Sequence, residues 1–137
     1  MTDIINALAA GLYSKLQGGT ALTSLLSGTT AIYHNVAPDN ATLPYVIFSV
    51  QGGGDENQSP NRTQNLVLFV RGYSGNSQAQ AGSIDTQIDN LLHMQTVTVS
   101  GWTNIWTARE SSLTMPEPQP NGGYVYMSGG YYRIRLD

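Results

Sequence analysis

Cysteine is absent from the 137-residue sequence. That excludes a disulfide framework, a thiolate metal site and a thiol nucleophile. Charge is also scarce. Asp, Glu, Lys and Arg together make up 11% of the chain, and Lys15 is its sole lysine. With scattered arginines and a net charge of −3, there is no electrostatic footprint for binding duplex DNA. No apolar run approaches the roughly 20 residues that a membrane-spanning helix needs, so no membrane partner is expected. The opening "MTDIINALAAGLYSKL" lacks a basic leading segment and reads as an amphipathic helix, not a signal peptide. Production in a cytoplasm, or incorporation into a particle, is expected. The three N-x-S/T sequons at Asn40, Asn57 and Asn61 are read as polar loop residues.

Gly, Ser, Thr, Asn and Gln fill the surface in place of charge, which suits a protein packed against other subunits. The length fits one domain over residues 1–137 with room for a core. In "VAPDNATLPYVIFSV", Pro38 and Pro44 refuse helix and push Ala37 and Leu43 toward extended geometry. The chain is steered into a strand that is apolar on both faces, and such a strand must be covered on both faces. One cover is a helix of the same chain; a second polypeptide is a candidate for the other.

Thr2 is placed to cap a first helix, with Asp3 in its first turn, and Ile5, Leu8, Leu12 and Leu16 form its apolar stripe. Thr20 is expected to cap a short second helix that Gly28 ends. "AIYHNVA" reads as a short extended piece, and Tyr45 to Val50 as the first strong strand. "QGGGDENQSPNR" reads as a flexible polar loop, mobile in the free protein and ordered on assembly. Gln64 to Tyr73 is the antiparallel partner. Ser77 or Asn76 begins the main helix, whose stripe is Ala81, Ile84, Ile88, Leu91 and Leu92.

"QTVTVSG" and "WTNIWTARE" read as two further strands, the second with Trp102 and Trp106 on one side and Ile105 and Arg109 on the other. "SSLTMPEPQPNGG" reads as a proline-rich loop. Tyr124 to Leu136 is the last strand, with a bulge or bend at Gly129-Gly130. The pattern predicts an α+β fold. It has a largely antiparallel sheet of about four to five strands, a main helix packed on one face and a short helical N-terminus.

Catalytic signatures are not found. "GYSGN" has the wrong glycine spacing for a nucleophile elbow, and "GGGDE" lacks the Lys-Ser/Thr of a phosphate loop. His34 and His93 have no ligand-spaced neighbours, and both are read as structural. Asp85 and Asp89 share a helix face, either as a carboxylate pair, as a solvated face, or as acceptors for an arginine of a neighbouring subunit. No catalytic, cofactor-binding or metal-binding residue is assigned, and no cofactor is expected. Tyr131, Arg133 and Arg135 share one face of the last strand, where a monomer could solvate them and an oligomer could pair them with Asp85, Asp89 or Glu110 of the next chain.

"IYHNVAPDNATLPYVIFSV", followed by a polar loop and "NLVLFVRGYSGNSQAQAGSIDTQIDNLLH", resembles the tail terminator, or tail completion, proteins of long-tailed bacteriophages. The resemblance runs in order over residues 4–93. It implies an α+β subunit of a homo-oligomeric ring, commonly hexameric. Such a ring caps the tail tube, ends its polymerisation and docks to the head connector. The implied partners are further copies of the chain, the tail tube protein and the head-tail connector protein. Nucleic-acid binding is not implied, although DNA passes through such a ring. On that reading Gly52, Gly53, Gly54, Asp55, Glu56 and Asn57 form a loop contacting tube or connector. Asp85, Asp89, Glu110, Tyr131, Arg133 and Arg135 lie at the subunit interface, in a virion neck assembled in the host cytoplasm. The alternatives are a head-tail joining or tail tube protein and, from other classes, a monomeric ligand-binding module using the aromatic strands or a small hydrolase.

Overall fold

The computed structural model describes residues 4–57, 62–120 and 122–137. The expected cap at Thr2 and Asp3 lies outside the described residues. Helix α1, Ile4–Gln17, buries Leu8, Leu12 and Leu16 completely, while Ile5 stays 38% exposed. Helix α2 is a single turn, Thr20–Thr23. Its N-cap is Gly19 and not Thr20, and no side chain caps it; Gly28 lies well past its end. Leu22 and Leu26 are buried in the core.

Five strands follow. They are β1 (Ile32–His34), β2 (Tyr45–Asn57), β3 (Arg62–Ser74), β4 (Asn104–Pro118) and β5 (Tyr124–Leu136), ordered β1-β2-β3-β5-β4. The sheet is mixed: β1 runs parallel to β2, and every other neighbouring pair is antiparallel. Helix α3, Gln78–Leu92, lies between β3 and β4 in sequence. The Ser77 hydroxyl accepts from the Gln80 N–H at 3.1 Å and so caps α3. The buried face of α3 is Ala81, Ile84, Ile88 and Leu92, with Leu91 half-buried.

Alternation splits the sheet into two faces. Val46, Phe48, Leu66, Leu68, Val70, Tyr132, Ile134 and Leu136 join the helices in the main core. On the opposite face Ile47, Phe69, Tyr73 and Met127 form a second apolar cluster, flanked by Tyr33, Tyr45 and Tyr131. The β2 and β3 centres are therefore apolar on both sides, as their sequences predicted.

Four further expectations fail for identifiable reasons. Residues 51–57 do not form a loop. β2 bulges between Val50 and Gly52 and then keeps its ladder with β3 to Asn57. Glycine weakens a strand locally, but a partner already held in register carries it through. Residues 58–61 of the expected loop lie outside the described residues. "QTVTVSG" is not a strand; a lone bridge joins Val99 and Trp102. Its valines are buried, and the Val97 N–H is satisfied by the Asn104 side chain at 2.9 Å, so the segment needs no ladder. The proline-rich stretch is strand as far as Pro118. β4 is an edge, where a missing N–H costs no ladder bond. Finally, β5 runs straight through Gly129-Gly130; the irregularities sit opposite, in β4, at Asn104/Trp106 and Arg109/Ser111.

Candidate functional site

Arg109 is the hub of the polar groups on the helix-covered side of the sheet. The bulge after it places its side chain opposite Tyr132, facing α3. Its guanidinium forks onto Asp85 at 2.9 and 2.8 Å and also donates to the Tyr132 hydroxyl, Ser112 and the Gly129 carbonyl. Tyr132 in turn donates to Asp89 at 3.1 Å, and Ser128 donates to Asp85. Gly130 leaves room for the guanidinium, since a Cβ there would stand 2.6 Å from its carbon and push it aside. The Asp85 carboxylate bonded to it raises the Arg109 pKa further above its ordinary value, against the effect of burial. Burial raises the Tyr132 phenol above its usual range, with the arginine pulling the other way. Every strong donor of Arg109 is engaged within the chain. The cluster fastens β4 to α3.

The histidines have structural places. His34 stacks on Phe48 with ring centroids 5.1 Å apart, and His93 Nδ1 accepts from the Arg109 backbone N–H at 3.0 Å. Among the described residues no group of three acidic or histidine side chains could hold a metal. A shallow groove of about 590 Å³ between α1 and residues 96–100 is lined by Ala7, Gly11, Ser14, Lys15, Thr96 and Thr98, with Lys15 the one charged side chain among the described residues that line it.

The outer sheet face carries a row of aromatic side chains. Phe69 stacks on Tyr131 at 4.5 Å, Tyr45 tilts against Tyr73 at 5.5 Å, and Tyr33 meets Tyr45 edge-on. The Arg71 guanidinium lies 4.5 Å over the Phe69 ring and donates to the Tyr73 hydroxyl at 2.9 Å. Burial raises the Tyr45 and Tyr73 pKa values; Arg71 opposes the shift at Tyr73. Leu113 and Met115 on β4 sit in register with Gly129 and Met127 of the same face. They extend the patch to the sheet edge, 37% and 42% exposed. Among the described residues no helix packs on this face. Aromatic side chains, methionine and arginine are the types enriched in protein interfaces.

The charged residues singled out from sequence are brought together, but within one chain. Arg133 pairs with Glu110 at 3.0 Å, and Arg135 pairs with Glu56 at 2.7 Å. Asp85 and Asp89 face Arg109. Tyr131 shares the outer face with Arg133 and Arg135, opposite Phe69, Val67 and Asn65, and stacks on Phe69. Gly52, Gly53 and Gly54 lie on β2, Asp55 bonds Gln64, Glu56 also accepts from Asn65 at 2.7 Å, and Asn57 ends the strand. Trp102 precedes β4 and packs on the main core, so it shares no strand face with Trp106. Sequence reading missed Arg71 and Arg109. Arg71 alternates with Phe69 and Tyr73, a signal that was present. Arg109 was not readable, because the bulge that aims it leaves no mark in the residue pattern.

The model for the family described as tail completion protein gp17 matches residues 10–128. The chain belongs to that family. It is a tail completion protein, a structural component of a phage-type particle. No curated protein sequence matches it. A chain from the virion of a native gene transfer agent particle superimposes with a TM-score of 0.81 at 15% identity, over 99% of this chain and 98% of that one. The structure of the bacteriophage SPP1 gp17 protein superimposes with a TM-score of 0.56 at 17% identity, over 96% of this chain and 88% of that one. At such identities the likeness is one of fold.

Proposed function

We propose that this tail completion protein assembles into a homo-oligomeric, hexameric ring. The ring caps the finished tail tube, ends its polymerisation and docks to the head connector in the neck of the virion. One observation carries the reading. The outer face holds a stacked aromatic row, and among the described residues its Arg71 has no carboxylate partner and no helix covers the face. Ile47, Phe69, Tyr73 and Met127 are buried within the single chain, but half-buried Tyr33, Tyr45 and Tyr131 and exposed Leu113 and Met115 leave beside them an apolar surface that suits a partner subunit. A closed ring joins two different surfaces of each copy, head to tail. Apolar sheet surface supplies most of the affinity, and the paired charges of Arg133, Arg135, Glu110 and Glu56 form a polar rim.

The end of the β2–β3 hairpin, Asp55 to Asn57, meets the tube or the connector. DNA passes through the opening without being read, in keeping with the negative net charge. The protein's work is steric and adhesive, with no bond made or broken. Electron microscopy of the purified protein, alone and with tail tubes, tests the proposal. Rings of one size seated at tube ends are expected. Tubes that elongate equally with and without the protein, beside a protein monomeric at every concentration, overturn it.

A further inference from the structure

The sheet has two edges, and each is blocked over only part of its length. On one side β1 covers Val46 to Phe48 of β2, and the Asn35 N–H closes the Phe48 carbonyl at 2.9 Å. Beyond that point, as far as Gly54, no described residue pairs with this edge of β2. On the other side the residues after α3 close the start of β4. The Met94 N–H donates to the Thr107 carbonyl at 2.7 Å, and His93 accepts the Arg109 N–H. From Ser111 to Pro118 no described residue pairs with the outer edge of β4. The two open segments are of similar length and belong to different strands.

Their side chains differ in a complementary way. Gly53 is fixed by its own chain, with φ +109° and the Asn65 carbonyl where a Cβ would go. Gly52 and Gly54 are not: a Cβ at either would meet nothing within 4 Å. The open β4 segment, in contrast, projects Leu113 and Met115. All four residues lie on the outer face, since Gly52 and Gly54 are in register with Val67 and Asn65, and Leu113 and Met115 with Gly129 and Met127. Glycine in a strand commonly marks the close approach of another backbone, and large side chains beside bare positions interdigitate.

We propose that the Ser111–Pro118 edge of one copy adds to the glycine edge of β2 in the next copy, so that the sheets run on from subunit to subunit. The proposal rests on the ring reading and names its contact. β2 and β4 point in opposite directions within the sheet, so head-to-tail addition continues the antiparallel alternation and keeps every outer face on one side. Because β1 and the His93–Met94 segment block different levels, neighbours join with an offset along the strands. Closing a sheet on itself requires such a stagger.

The absence of cysteine makes a direct test possible. Cysteines are introduced at Gly52 or Gly54 in one preparation and at Leu113 or Met115 in another, and the four pairings are mixed and oxidised. Cα atoms on adjacent strands fall within the span a disulfide needs, about 4.4–6.8 Å. At least one pairing is expected to give mostly covalent dimer, and the corresponding double variant a ladder that ends at the ring number. Gly28→Cys, exposed and away from both edges, is expected to give none with Leu113→Cys. Circular dichroism checks that each variant is folded. A protein that forms rings yet cross-links in none of the four pairings overturns the edge contact and leaves the ring standing. Dimers from Leu113→Cys alone reveal a β4–β4 contact and overturn it too. A protein that neither cross-links nor assembles overturns both.

Discussion

Replacing Arg109 with methionine keeps much of the side chain's volume and removes its charge. Asp85 then loses two charge-assisted bonds, at 2.9 and 2.8 Å, and keeps only the longer one from Ser128, at 3.3 Å. The Gly129 carbonyl loses a donor, while Tyr132 keeps Asp89 as its acceptor. Breaking a fully buried pair costs about 3–5 kcal/mol, because the remaining charge is stranded. Here the Arg109 and Asp85 side chains are 16% and 14% exposed, so partial solvation lowers the expectation to about 2–4 kcal/mol. The same replacement at Arg133, whose pair is 33% and 46% exposed, costs about 0–1 kcal/mol. Urea unfolding followed by circular dichroism measures both. In a double-mutant cycle with Asp85→Asn the losses are expected to be non-additive by about 1–3 kcal/mol. Equal stabilities of Arg109→Met and Arg133→Met, or strict additivity in the cycle, would refute the assignment of Arg109 as the fastener of β4.

Ile88 is fully buried in the face of α3 that packs on the sheet, so Ile88→Ala should lower unfolding stability by about 2–5 kcal/mol; an unchanged denaturation midpoint would place the helix wrongly. Tyr132 supplies a pH dependence. Its folded pKa is raised above the unfolded value of about 10. Its contribution is therefore full below about pH 10 and declines as pH rises toward the folded pKa. The fall in melting temperature above pH 10 should be shallower in Tyr132→Phe than in the parent, and parallel curves would exclude this phenol as the titrating group.

Local patterning determined much of this fold. Leu8, Leu12 and Leu16, and again Ala81, Ile84, Ile88 and Leu92, recur at helical spacing because an isolated apolar stripe must be buried. The strands around Phe48 and Val70 read as doubly covered because both faces are apolar. The Ser77 cap was legible because capping is a short-range hydrogen bond, and the tail completion resemblance rested on these same local segments. Tertiary structure alone decided what depends on a neighbour. The glycine segment Gly52–Gly54 became strand because β3 holds it. Pro116 and Pro118 were tolerated because β4 is an edge. Val97 and Val99 stayed out of the sheet because Asn104 and the core satisfied them. The pairing of Arg109 with Asp85, of Arg133 with Glu110 and of Arg135 with Glu56 was equally hidden. Charge type is written in the sequence, but the bulges and the strand order that choose each partner arise only when distant strands align.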